Sequence, residues 1–149
     1  MEYESDFYLC FMERTQQNLD SYEGGYDATQ LLNSLLGLLI VPKEKLFDQI
    51  PDTSLNELSP SEWGDVSSWV TQNINGDLGH GNTSTLRQFV RKLRNSVAHF
   101  HITPHHESGV VRGFRFAYGS FNAEIPEGEL KKFVKQLAST LVNLQGSSA

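Results

Sequence analysis

The sequence predicts a mainly α protein, a helical bundle in a single domain (residues 1–149) with one small β-hairpin before the C-terminal helix. Three observations lead to this fold class. Apolar residues recur at helical spacing near both ends of the chain and again over residues 86–100. Residues 28–41 are apolar almost all round, which is typical of a central helix. Residues 110–125 instead alternate in polarity and are rich in β-branched and aromatic side chains, as strands are.

The N-terminal half is expected to hold two long helices followed by shorter ones. The first spans residues 4–22. Asp27 is a candidate N-cap for the second, and Pro42 ends that helix because proline cannot continue it. Shorter helical turns are predicted within residues 43–50 and between residues 61 and 73, so the bundle core comes chiefly from the long helices.

A strongly amphipathic helix is predicted after a Gly-rich connector, residues 76–82, with Asn82, Thr83 or Ser84 as its N-cap. The connector lacks the Lys and Ser/Thr that follow a nucleotide-binding loop, so we do not expect it to cradle phosphate. Because a helix turns by about 100° per residue, six apolar side chains share one face that is expected to be buried. They are Leu86, Phe89, Val90, Leu93, Val97 and Phe100.

The C-terminal third is predicted to consist of the hairpin and a last helix. Residues 110–118 and 121–125 are the two strands, and the residues between them form the turn. The preceding residues 104–106 are expected to form a loop. The last helix opens with a proline and acids in its first turn, where the helix dipole favours them, and the tail, residues 143–149, is expected to fray.

Positive charge is concentrated in one segment, although the chain as a whole carries a net charge of −6. Residues 78–115 contain all five histidines and six Arg or Lys residues against a single acid, Glu107. The opposing acids gather in residues 1–27. The acidic balance of the chain therefore does not exclude a nucleic-acid partner.

The amphipathic helix carries a row of arginines on a face separate from its apolar one. Arg87, Arg91 and Arg94 lie three or four residues apart, so they line one stripe. We predict that Arg87 and Arg91, together with His101, contact RNA. Arg94 is instead a candidate catalytic residue. The alternative is a basic face that is merely solvated.

Arg94, Asn95 and His99 are the candidate catalytic residues. Cleavage of RNA by its own 2′-hydroxyl requires a base, an acid for the leaving 5′-oxygen, and positive charge on the phosphorane. Imidazole gains and loses a proton near neutral pH, and Arg binds phosphate oxygens without losing its charge. His99 and Arg94 supply these groups without a metal or another cofactor, and Asn95 is placed to orient the imidazole or contact the phosphate.

Arg94 and His99 cannot converge on one phosphate within a single straight helix. Residues five apart point about 140° away from each other. Two copies of the helix that cross at a two-fold axis would bring two Arg and two His side chains into one cleft. Unless the helix ends between them, the geometry therefore predicts a composite site in a homodimer that meets through this helix.

The string Leu93-Arg94-Asn95-Ser96-Val97-Ala98-His99, together with the apolar helix before Pro42, resembles the HEPN superfamily of small helical domains. The motif of that family is an Arg, four to six residues of which the first is usually polar, and then a His. Arg94, Asn95 and His99 match it position by position. His101 satisfies the looser spacing, so the principal base is His99 or His101, and the fuller RNxxxH form favours His99.

The resemblance implies a helical bundle, a homodimer with the motif helices at its interface, and metal-independent endoribonuclease activity in toxin or antiphage-defence settings. An antitoxin or regulator is a further partner that such a setting implies. Some HEPN domains are non-catalytic, so a nucleotide-binding, RNA-binding or dimeric interaction module is the alternative function.

Three other features bear on function. His99, His101, His105 and His106 invite a metal site, but only Glu107 supplies a nearby carboxylate, and we expect no physiological metal. Cys10 lies in an apolar helical pattern and is expected to be buried. With no apolar run long enough for a membrane span and no secretory signal pattern, a cytoplasmic location is expected.

Overall fold

A computed structural model describes residues 3–21, 27–42, 44–72, 85–119 and 121–147. It confirms the predicted fold class, because helices form most of the described chain and a small antiparallel sheet precedes the C-terminal helix. The Gly-rich connector and the residues that were expected to cap the amphipathic helix lie outside the described residues.

Four longer helices form the body of the protein, and short helical turns connect the second and third of them. The described helices are α1 (Tyr3–Ser21), α2 (Asp27–Ile40), α3 (Glu44–Phe47), α4 (Pro60–Trp63), α5 (Val66–Trp69), α6 (Leu86–Ala98) and α7 (Glu127–Ser147), with a 3₁₀ turn at Leu55–Glu57. Helix α7 packs against α1, α2 and the sheet, while α6 packs between α2 and the sheet. The motif helix is therefore held from two sides.

The sheet is larger than the predicted hairpin. Its strands are β1 (Val70–Gln72), β2 (Ile102–Glu107), β3 (Val110–Tyr118) and β4 (Phe121–Pro126), in the order β1-β4-β3-β2, and all neighbours are antiparallel. The expected hairpin is the β3–β4 pair. The expectation of a loop at residues 104–106 was wrong, because these residues lie in β2. Strand β2 lies at the edge of the sheet, and all its residues after Ile102 are exposed. Its sequence therefore lacks the alternation of apolar and polar residues that indicates a strand.

The core lies where α6, α7 and the sheet meet. Phe133 of α7 packs edge-on against Phe89 of α6, with ring centroids 5.6 Å apart, and also contacts Trp63 and Trp69. Phe121 of β4 completes the cluster against Phe89 at 6.1 Å. These aromatic contacts fix α6 relative to the sheet, and they therefore position both ends of the motif.

Helix α6 begins at a complete capping box. The hydroxyl of Thr85 accepts a hydrogen bond from the backbone N–H of Gln88, and the Gln88 side chain accepts one from the backbone N–H of Thr85. The N-cap is thus Thr85, one residue after Ser84, the last of the three candidates expected from the sequence. Its extended backbone, with φ −118° and ψ 159°, is what an N-cap requires.

Helix α6 ends in a Schellman motif. His99 is the C-cap, the N–H of His101 donates to the carbonyl of Ser96 at 2.8 Å, and the N–H of Phe100 donates to Val97 at 3.1 Å. Phe100 has φ +58°, in the left-handed region, so the chain leaves the helical path before this residue. The prediction that Phe100 faces the core was therefore wrong, and its side chain is 92% exposed.

A second residue departs from its expected burial. Cys10 is exposed on α1, whereas Met12 and Thr15 are the buried members of the same stretch. The reason is that α1 is covered on the side that faces α2 and α7, and Cys10 lies off that side. Among the described residues, none of the helices is long and apolar enough to cross a membrane.

Candidate functional site

Arg94 lies half-buried between α6 and the segment that follows α2. Its Nε donates a 3.1 Å hydrogen bond to the carbonyl of Leu39, and its guanidinium lies over the ring of Phe47, 4.2 Å from the centroid. Leu39 belongs to the last turn of α2, where carbonyls lack partners within the helix and a cation is favoured by the helix dipole. Arg94 therefore caps α2 from a neighbouring helix.

Burial changes the electrostatics of Arg94. Desolvation lowers the pKa of its guanidinium, while Glu44 and Asp48 act in the opposite direction and Arg91 lowers it further. The group remains charged at neutral pH because a guanidinium loses its proton only in strongly alkaline solution. Its two Nη groups form no hydrogen bond with any other described residue, so their donors are unused within the described part of the chain.

Arg87 and Arg91 are tied to the same side of the protein. Arg87 is half-buried, and its Nε donates to the carbonyl of Ile50 at 2.8 Å. Arg91 is exposed and forms a 3.4 Å ion pair with Asp48. The arginine stripe is therefore not a uniformly solvated face, because each of its three members contacts either the last turn of α2 or the segment that follows it.

His99 and His101 belong to a ring cluster at the other side of the end of α6. The imidazole of His99 stacks on the phenol ring of Tyr118, with centroids 4.5 Å apart and an angle of 15° between the rings. His101 contacts the same Tyr118 edge-on at 6.1 Å and lies 6.5 Å from His99. Both residues are exposed.

The structure does not bring the three predicted catalytic side chains together. Arg94 contacts α2 and α3, whereas His99 contacts β3, as expected from their spacing on one helix. Asn95 is half-buried, and within the described chain its side chain makes no hydrogen bond to His99 or to another residue. One chain therefore presents a cationic half and an imidazole half that face different neighbours.

The contacts of the two halves include residues that the sequence did not single out for these roles. Tyr118, at the end of β3, stacks on the imidazole of His99 and orients it. Leu39 and Phe47 hold Arg94 through a carbonyl oxygen and a ring face. The sequence around these three residues does not indicate their roles, because the roles depend on which helices and strands pack together.

The histidines do not assemble a metal site among the described residues, where no group of three or more His, Cys, Asp or Glu side chains is close enough to hold an ion. A cavity of about 440 Å³ lies elsewhere, between β3, β4 and α5. Trp69, Phe114, Arg112 and Glu129 are among its lining residues, and the motif residues are not. Within the described chain, the buried Oε2 of Glu129 has no hydrogen bond and only a 3.6 Å contact with Lys132.

The helical bundle, with Arg94, Asn95 and His99 at the end of α6, has the fold and the motif positions expected of a HEPN domain. Within that class, the family model described as HEPN pEK499 p136 matches residues 1–148, and the chain belongs to this family. No curated protein and no solved structure matches the chain.

Proposed function

We propose that the protein is a metal-independent endoribonuclease that acts as a homodimer. The observation that carries the proposal is the arrangement of Arg94 and His99. The guanidinium of Arg94 is held in place yet retains unpaired Nη donors among the described residues, while His99 is exposed and held in orientation by Tyr118. These are the properties required of a phosphate-binding group and a proton-transfer group.

The chemistry follows from these groups. An imidazole removes the proton of the 2′-hydroxyl, the 2′-oxygen forms a bond to phosphorus, and the bond from phosphorus to the 5′-oxygen breaks. A second imidazole protonates the departing 5′-oxygen, which leaves a 2′,3′-cyclic phosphate on one product and a 5′-hydroxyl on the other. Arg94 stabilises the charge on the phosphorane through its Nη donors.

A second chain supplies what one chain lacks. Because Arg94 and His99 contact different elements, a phosphate bound by one Arg94 is served by the His99 of the other protomer. A two-fold axis beside the end of α6 also provides two imidazoles, one for each proton transfer. His101 is the nearest substitute for His99, and Arg87 and Arg91 extend the RNA-binding surface.

The activity is tested with single-stranded RNA in excess EDTA. We expect the wild-type protein to cleave it and to leave 2′,3′-cyclic phosphate ends, and we expect Arg94→Ala and His99→Ala to reduce the rate by at least about 100-fold each. The matched controls are His106→Ala, which removes an exposed imidazole from β2, and Lys131→Ala, which removes an exposed cation from α7. Cleavage that survives in both motif variants would disprove the proposal.

A toxin or defence role is tested in cells, where an antitoxin or regulator can mask the activity. We expect expression of the wild-type chain alone to arrest growth, and His99→Ala to relieve the arrest at equal protein level. Arrest that persists in His99→Ala would separate toxicity from the motif.

The cavity favours a second candidate function, that of a nucleotide-binding module without catalysis. Its volume of about 440 Å³ suits a small ligand, with Trp69 and Phe114 for a ring and Arg112 for an anionic group, although Asp65, Glu124 and Glu129 in the same lining oppose a high negative charge. Isothermal titration with nucleoside mono-, di- and triphosphates tests this candidate. Saturable binding that Arg112→Ala abolishes, in a protein that cleaves no RNA, would favour it over the nuclease.

A further inference from the structure

Phe100 occupies a backbone position that normally belongs to glycine. It is the C′ residue of the Schellman motif that ends α6, and its φ of +58° places its Cβ close to the following carbonyl oxygen. Only a residue without a Cβ adopts this conformation freely. A bulky aromatic residue at this position therefore makes the helix end less stable than glycine would.

The ring of Phe100 gains nothing from the fold in return. Its side chain is 92% exposed, more than any other large apolar side chain in the described part of the protein, and it makes no ring contact with another described residue. The ring therefore contributes almost no burial energy that could offset the strain of its backbone. Strained residues of this kind cluster at binding and catalytic sites.

The surroundings of Phe100 match a nucleic-acid base better than an apolar protein surface. Its neighbours in the chain are His99 and His101, which are exposed and polar, and Ala98 is exposed as well. The other exposed large apolar residues, Phe7, Ile40 and Val110, lie on α1, α2 and β3. A single flat ring between hydrogen-bonding imidazoles provides one stacking platform, and a nucleobase needs no more than that.

We propose that Phe100 stacks on a nucleobase of single-stranded RNA next to the phosphate that is cleaved, and so selects unpaired RNA as the substrate. This inference rests on the proposed ribonuclease function. A base in a duplex is already stacked on both faces, so the ring can engage only a base that is free of the helix. Phe100 adjoins His99, so the stacked base fixes its own ribose beside the imidazole.

The test uses a 2′-O-methyl oligonucleotide that cannot undergo internal transfer, with 2-aminopurine at one position to report stacking by loss of fluorescence. We expect wild-type protein and Phe100→Trp to bind and quench. We expect Phe100→Ala to weaken binding by about 5- to 150-fold and to abolish the quenching. Phe100→Leu keeps the apolar surface without an aromatic face and is expected to lose the quenching too. Phe7→Ala, at the 56% exposed Phe7, is the control.

The outcomes separate this inference from the ribonuclease function. Full quenching in Phe100→Leu or Phe100→Ala, in a protein whose cleavage still requires His99, overturns the stacking role alone. Dissociation of the dimer by Phe100→Ala in sedimentation also overturns it, because Phe100 would then belong to the protein interface. If the wild-type protein neither binds nor cleaves RNA, the ribonuclease function fails and the stacking role fails with it.

Discussion

Arg94 has a structural task in addition to its proposed catalytic one. Its Nε is bound to Leu39 and its guanidinium covers Phe47, so one side chain links α6 to the end of α2 and to α3. Binding a phosphate requires only the Nη donors. The atom that attaches Arg94 to α2, its Nε, is therefore different from the atoms that are proposed to bind the phosphate. A variant of Arg94 therefore affects stability as well as activity, and the two must be measured separately.

Arg94→Ala is predicted to lower the free energy of unfolding by about 1–2 kcal/mol, because it removes a hydrogen bond from a charged donor that is only partly buried. Arg94→Lys keeps the charge but not the planar donor, and we expect it to recover less than half of the loss. Urea unfolding measures both. Lys131→Ala, on the exposed side of α7, is expected to change nothing, and an equally stable Arg94→Ala would mean that the contacts with Leu39 and Phe47 contribute little.

Phe100→Gly is predicted to be more stable than Phe100→Ala by about 1 kcal/mol. Both variants lack the ring, but only glycine adopts the left-handed conformation without a clash, so the difference isolates the backbone strain at φ +58°. Thermal unfolding of the two variants measures it. Equal melting temperatures would show that residue 100 is not strained, and strain would then give no reason to expect binding there.

At the scale of the element, α6 shows how its two ends are set by different rules. Its start follows from local sequence, since Thr85 and Gln88 form a capping box within four residues. Its apolar face was predicted correctly as far as Val97, because the five apolar residues of this face from Leu86 to Val97 are buried. Its end was not, because Phe100 keeps the helical spacing in the sequence while the backbone has already turned away.

Thr85→Ala is predicted to destabilise the protein by about 1 kcal/mol, because the backbone N–H of Gln88 loses its acceptor at the first turn of α6. Thr85→Ser retains the hydroxyl and is expected to stay close to wild type. Urea unfolding of the pair is the measurement. The backbone bridge between Thr85 and Ser54 is common to both variants, so it cannot account for a difference between them.

At the scale of the whole molecule, the proposed composite site of a homodimer leads to a prediction about mixed dimers. Dimers of Arg94→Ala or of His99→Ala have no complete pair of groups, and we expect neither to cleave RNA. A mixed dimer that contains one chain of each kind still has one Arg94 and one His99 on different chains. We expect it to regain a small but measurable fraction of wild-type activity, because one His99 remains for one proton transfer and His101 is the nearest substitute for the other.

The mixed dimer is obtained by co-expression of the two variants with different affinity tags, followed by purification over both tags. Single-stranded RNA cleavage in EDTA is the assay. If Arg94 and His99 of the same chain form the site instead, every site in the mixed dimer lacks one group and no activity returns. The same result would follow from a monomeric enzyme, which sedimentation of the wild-type protein distinguishes.

The sequence by itself determined the helices, the β3–β4 hairpin and the RNxxxH motif, because helical spacing, strand alternation and proline or capping residues are local properties of the chain. It also determined that Arg94 and His99 diverge. Only the tertiary structure decided what they contact. Leu39 lies 55 residues from Arg94 in the sequence, and Tyr118, which stacks on His99, lies at the end of strand β3. Contacts between distant segments depend on packing, which no local pattern encodes.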